Sequence, residues 1–177
     1  EHGIFMTERC IEEMIERGTY LVPTLSAVRN ILAMKGKGVP AYAIEKSERV
    51  VDRHRQSIKM FYDACGKIAM GTDAGTPFNR HGENAQELEY MVDIGITALD
   101  ALRFATGAAA DLVVLPEEGR IKEGGFADLL LVEGDPTTDI TMASRRENHR
   151  LVVKRGLPVS RRAFGLVGVA GHQLAAF

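Results

Sequence analysis

The sequence has 177 residues, 45% hydrophobic and 26% charged, with a net charge of −2 and two cysteines. That length carries one domain or two small ones, with room for a core of useful size. Interleaved charges of both signs exclude a basic nucleic-acid surface, sparse cysteine excludes a disulfide scaffold, and no apolar run is long enough to cross a bilayer.

Thr7 is placed to cap a helix to about Arg17, in which Met6, Cys10, Ile11, Met14 and Ile15 recur at helical spacing before Gly18 ends it. The run Thr19-Tyr20-Leu21-Val22-Pro23-Thr24-Leu25 is short and rich in β-branched and aromatic residues, which predicts a buried strand. Residues 26–34 read as a short helix or turn, and 35–40 as a loop. A long amphipathic helix is predicted over about 43–64, with Ile44, Val51, His54, Ile58 and Phe61 near one face. Both cysteines, Cys10 and Cys65, fall within helix-like patterns and read as reduced core thiols of a cytoplasmic protein. A short strand over 67–71 then delivers Thr72-Asp73-Ala74-Gly75, followed by a loop over 76–82. A helix is predicted over 83–93, stopped by Gly95. Thr97-x-x-Asp100 has the form of a capping box for the next helix, and a further helical segment covers 106–112.

Strand and helix thus alternate through the first part of the chain, the signature of an α/β fold with parallel strands. After Pro116 the pattern becomes β. Residues 119–125 read as turns around a short strand, 127–132 as a strand, 134–136 as a turn, 149–154 as a strand, and 155–159 as a turn and return strand. The expected organisation is 1–115, 116–160, and an apolar, glycine-rich tail of unclear order over 161–177.

Few residues stand out chemically. Asp73 ends a predicted strand among glycines; such an Asp either shapes an Asx turn or presents a carboxylate that ligates a metal and takes a proton from water. His2 reads either as a solvated side chain or as a metal ligand. His81 lies on the loop after the Asp73 strand, where substrate contact and plain solvent exposure are equal readings. His54 reads as part of a packed or half-exposed helix face, while His149 and His172 suggest no function.

The ordered set tips these choices. It comprises Glu1-His2-Gly3, Tyr20 to Leu25, Met70-Gly71-Thr72-Asp73-Ala74-Gly75-Thr76-Pro77 and His81-Gly82-x-Asn84. It continues with Glu87-Leu88-x-x-Met91-Val92-x-x-Gly95-Ile96-Thr97, Ala101-Leu102-x-x-Ala105-Thr106, Gly119-x-Ile121-x-x-Gly124-x-x-Ala127-Asp128-Leu129 and Gly134-Asp135-Pro136. Over about residues 1–159 it resembles the C-terminal half of the amidohydrolase superfamily, in its imidazolonepropionase-like and Xaa-Pro-dipeptidase-like branch. The resemblance implies an α/β fold: the last part of a distorted (β/α)8 metal-dependent-hydrolase barrel, incomplete here, with part of a small β-sandwich. It implies a divalent metal, usually zinc, one or two ions in a complete parent. It places His2 on the sixth strand as a ligand, Tyr20 to Leu25 on the seventh, and Asp73 on the eighth as ligand and base. His81 is the candidate substrate contact.

The sequence departs from that pattern in having no His-x-His pair and nothing to match the first five strands. The expectation is a C-terminal fragment, or truncated product, of an enzyme that hydrolyses small amides by metal-activated water. Xaa-Pro dipeptides lead as substrates, cyclic amides follow, and the chain alone is expected to be inactive. Two rivals stay open: a non-catalytic remnant that self-associates, and a small α/β interaction module.

Overall fold

The computed structural model describes residues 1–159. The tail expected over 161–177, with His172, lies outside the described residues. Helix ends organise the first part. Thr7 opens α1 (Glu8–Glu16), its hydroxyl accepting from the Cys10 amide at 3.3 Å. Gly18, Cys65 and Gly95 take left-handed backbones after α1, α3 (Ala41–Asp63) and α4 (Gln86–Asp93). The next amide then reaches back into the last turn: Thr19 to Met14 at 2.8 Å, Gly66 to Phe61 at 2.9 Å, Ile96 to Met91 at 3.2 Å.

The cap predicted at Thr97 opens α5 (Ala98–Ala105), with the Asp100 amide donating to the Thr97 hydroxyl at 3.1 Å. The return bond differs from a capping box. The Asp100 carboxylate accepts from the hydroxyls of Thr97 at 2.8 Å and Tyr62 at 2.7 Å, which clips α5 to α3. A short helix, α6 (Gly107–Leu112), follows.

Between the helices, β1 (Tyr20–Leu21) and β2 (Lys67–Ile68) pair in parallel, Tyr20 opposite Lys67 and Leu21 opposite Ile68. The strand predicted over 19–25 is shorter because Thr24 turns left-handed at φ 50° and α2 (Leu25–Ala33) begins at once. The Ala69 amide extends the pairing to the Leu21 carbonyl at 3.0 Å, and the His2 amide joins from the other edge at the Val22 carbonyl, 2.9 Å. Leu21, Ile68, Ala69, Ile58, Phe61, Met91 and Ala101 are all buried around this ladder. Each large apolar side chain so buried contributes roughly 1.5–3 kcal/mol. The strands approach closely: a Cβ at Gly71 would sit 2.4 Å from Val22 Cγ1.

The second sheet is antiparallel, in the order β3 (Leu129–Val132), β4 (His149–Lys154), β5 (Leu157–Pro158). Leu130 faces Val152 and Leu131 faces Leu151, with an irregularity before Val132. A four-residue helix, α7 (Thr141–Ser144), lies between β3 and β4 and was not anticipated.

Two expectations need correction. Residues 119–125 form turns with no strand among them. Cys10 and Cys65 are exposed rather than in the core. Ile11 takes the buried face of α1 and turns Cys10 outward, while Cys65 occupies the left-handed cap position beyond α3.

Candidate functional site

Three side-chain-bearing residues with left-handed backbones line one cavity: His2 at φ 61°, Thr24 at φ 50° and Asp73 at φ 55°. Such conformations cost of order 1–3 kcal/mol each and concentrate at functional sites; a β-branched Thr is the rarest of the three. The cavity holds about 470 Å³, the size that takes a small organic ligand. Ile4, Phe5, Val28, Ile31, Tyr42 and Val50 make its wall largely apolar. Lys46 is the single Lys or Arg in that wall among the described residues, and it forms no ion pair with any of them.

Helix α3 holds His2 and its neighbours by their backbone. Arg53 donates to the Met6 carbonyl at 2.7 Å and Ser57 to the Ile4 carbonyl at 2.9 Å. His54 Nε2 lies 2.8 Å from the His2 carbonyl and 2.9 Å from that of Pro23. Both partners only accept, so this nitrogen carries hydrogen and donates. Burial pushes the His54 pKa down, and the two carbonyls offset part of that shift. Of the two readings of His54, packed or half-exposed, the structure gives the packed one, and the side chain also reaches the cavity wall. The ring of His2 points its Nδ1 to the Thr24 hydroxyl oxygen at 2.6 Å.

The Asp73 loop is closed by backbone and amide groups. The Asp73 carbonyl accepts from the Thr76 hydroxyl at 2.8 Å and amide at 3.3 Å, and the Gly75 amide donates to the Asn79 carbonyl at 2.8 Å. Asn79 and Asn84 anchor Thr72, at its carbonyl and at its hydroxyl. An Asx turn would spend the Asp73 carboxylate on the Gly75 amide. Here that amide goes elsewhere and the carboxylate is exposed. His81 is not brought to the cavity wall. It stands over the loop, where a Cβ on Gly75 would meet its Nε2 at 3.2 Å.

A neutral imidazole and a carboxylate are donors that zinc accepts. His2 and Asp73 are of donor types such an ion takes and line one cavity, and among the described residues no three of His, Cys, Asp and Glu gather into one group.

One buried group stands in the motif set but drew no role from the sequence. Glu87 of α4 is fully buried, and its carboxylate accepts from the amides of Leu25 at 2.7 Å and Ser26 at 2.8 Å and from the Ser26 hydroxyl. It caps α2 across 62 residues of sequence. Burial pushes its pKa up, against the pull of those donors. The signal available was a lone acid on the apolar Leu88–Met91 side of the helix.

The chain is similar in sequence and fold to known proteins. The Amidohydrolase family model matches residues 4–159. The chain is 33% identical over 144 residues to ochratoxinase of Aspergillus niger, covering 79% of this chain and 29% of that protein. It is 33% identical over 138 residues to an uncharacterized protein of Mycobacterium tuberculosis, covering 77% and 36%. A Xaa-Pro dipeptidase crystallised with methionine in its active site superposes with a TM-score of 0.79 at 36% identity, covering 89% of this chain and 38% of that one. A prolidase complexed with N-methylphosphonate-L-proline gives 0.81 at 28% identity, covering 90% and 39%. The chain thus spans between about three tenths and two fifths of these proteins, and its mixed α/β architecture corresponds to part of their fold.

Proposed function

The chain belongs to the amidohydrolase family, and on that premise we propose that it supplies part of the active site of a metal-dependent enzyme hydrolysing small amides, Xaa-Pro dipeptides first and cyclic amides next. The observation that carries the reading is the shared cavity of His2 and Asp73, both on left-handed backbones. A divalent ion, zinc by the donor types, held by His2 Nε2, the Asp73 carboxylate and donors outside the described residues, would polarise the amide carbonyl and acidify water. The Asp73 carboxylate takes the proton of the attacking water and returns it to the leaving nitrogen. Phe5, Val28, Ile31 and Tyr42 take an apolar substrate side chain, and the Lys46 ammonium takes its carboxylate. The two exposed thiols fit a reducing, cytoplasmic setting. His81 stays a weaker candidate for substrate contact, through its loop.

The test is hydrolysis by the full-length protein with Asp73→Asn. A loss of about 10²–10⁴-fold is expected for removal of a proton acceptor; unchanged turnover would sink the assignment. In the same assay a dipeptide carboxamide should be a poorer substrate than the free acid, and equal rates would remove Lys46 from the reading.

A second reading concerns the chain alone. It is catalytically silent and associates with further protein, a view favoured by the exposed leucines of β3. Metal-stimulated hydrolysis by the isolated chain would overturn it.

A further inference from the structure

A Thr before a helix ordinarily turns its hydroxyl onto the first free amides. Thr24 sits at that position before α2 and makes no such bond. Those amides, of Leu25 and Ser26, go instead to the buried carboxylate of Glu87, which also answers the partial positive charge at the helix start. Glu87 thereby leaves the Thr24 hydroxyl free for another task.

That task is visible. The Thr24 hydroxyl has one hydrogen, and it donates to the Pro23 carbonyl at 2.8 Å. Its oxygen can then only accept from His2 Nδ1, 2.6 Å away. We propose that Thr24 and Glu87 are positioning residues: Thr24 fixes His2 as the Nδ1–H tautomer with Nε2 bare toward the cavity, and Glu87 holds Thr24 in the left-handed backbone that makes this contact.

The chain of causes runs through three elements. Leu88 and Met91 bury α4 in the core and so fix Glu87 in place. Glu87 pins the first turn of α2, and Thr24 precedes it at φ 50°, a conformation β-branched residues avoid unless held. His54 fixes the other end by holding the carbonyls of His2 and Pro23 together. The imidazole is thus clamped at its backbone and at Nδ1. A ring nitrogen whose partner is committed to a hydrogen bond is the arrangement in which an imidazole serves as a metal donor. The inference rests on the reading of His2 as a ligand only for what the bare Nε2 is for; the tautomer itself stands or falls separately.

Nitrogen-15 NMR of the histidine rings in the metal-free, intact protein, above the imidazole pKa, tests it. His2 is expected with hydrogen on Nδ1 and none on Nε2, while His54 shows the opposite and serves as the internal reference. Thr24→Ser should keep the His2 signature. Thr24→Val should move hydrogen to Nε2, and Glu87→Gln should give a mixture. Zinc affinity of the full-length protein should fall about 10–100-fold in Thr24→Val and recover in Thr24→Ser, the range expected for loss of a partner behind a ligand. An Nε2–H His2 in the wild-type protein overturns the proposal without any variant. So does a tautomer unchanged in Thr24→Val while His54 keeps its own. If the tautomer holds and Asp73→Asn leaves hydrolysis intact, the catalytic reading fails and this one stands.

Discussion

The two sheets of this chain make opposite use of similar residues. The parallel pair is only two residues long on each side, yet Leu21 and Ile68 are 2% and 1% exposed. The antiparallel sheet has two longer strands, β3 and β4, yet Leu130 and Leu131 on β3 are 45% and 58% exposed, and Leu151 and Val152 on β4 are open as well. Burial therefore follows what covers a strand, not how long or how apolar it is. Helices α3, α4 and α5 close over the first sheet through Ile58, Phe61, Met91 and Ala101. Among the described residues nothing comparable closes over the second.

The largest test of that contrast is Phe61→Ala. This ring is fully buried against the parallel ladder, and its loss should cost about 3–5 kcal/mol in denaturant unfolding. A cost under about 1 kcal/mol would mean that the first sheet is not the stable part of the protein.

A smaller effect should come from the clip between α5 and α3. The Asp100 carboxyl is held below the usual carboxylate range, first by the Tyr62 hydroxyl and then by Thr97. A depressed carboxyl contributes stability that is whole above its unfolded pKa of about 3.9 and is lost as pH falls through the lower folded value. Asp100→Asn should therefore lower stability at neutral pH and flatten its decline in acid. Parallel acid profiles for the two proteins would remove Asp100 from this role.

The smallest effect is expected on the open sheet. Leu131→Thr should change stability by no more than about 0.5 kcal/mol, as at other solvent-facing positions. A loss of several kcal/mol would show that this face is covered in the working protein, and sedimentation of the two forms would say whether another copy covers it.

How much of this was legible in the sequence differs by element. The 3.6-residue periodicity of α3 and the Thr97 cap were readable because both are local patterns. The β-rich runs bounded by Gly and Pro gave β4 as observed and β3 within two residues. The stripe containing His54, Ile58 and Phe61 left His54 either packed or half-exposed, and the structure buries it. Cys10 was misplaced because the buried stripe of α1 is narrower than its apolar composition. Cys65 was misplaced because a left-handed helix cap was filled by a residue other than Gly. At the site, motif order rather than residue type picked out His2 and Asp73, which share a cavity, while the weaker candidate His81 does not line it. Glu87 stayed hidden because its work is done on amides 61 and 62 residues away in sequence. Thr24 was read as strand because its turn depends on that distant carboxylate.

The contact between Gly71 and Val22 has one more consequence. The two positions share a single volume, since Val Cγ1 already fills the place where a methyl on residue 71 would go, and the branched side chain has little rotational escape. They should be inherited as a pair: a lineage that gains an alanine at 71 must first or simultaneously shrink 22. Because Gly71 lies two residues before Asp73, a backbone shift that relieved this clash would move the strand end that carries the Asp73 side chain.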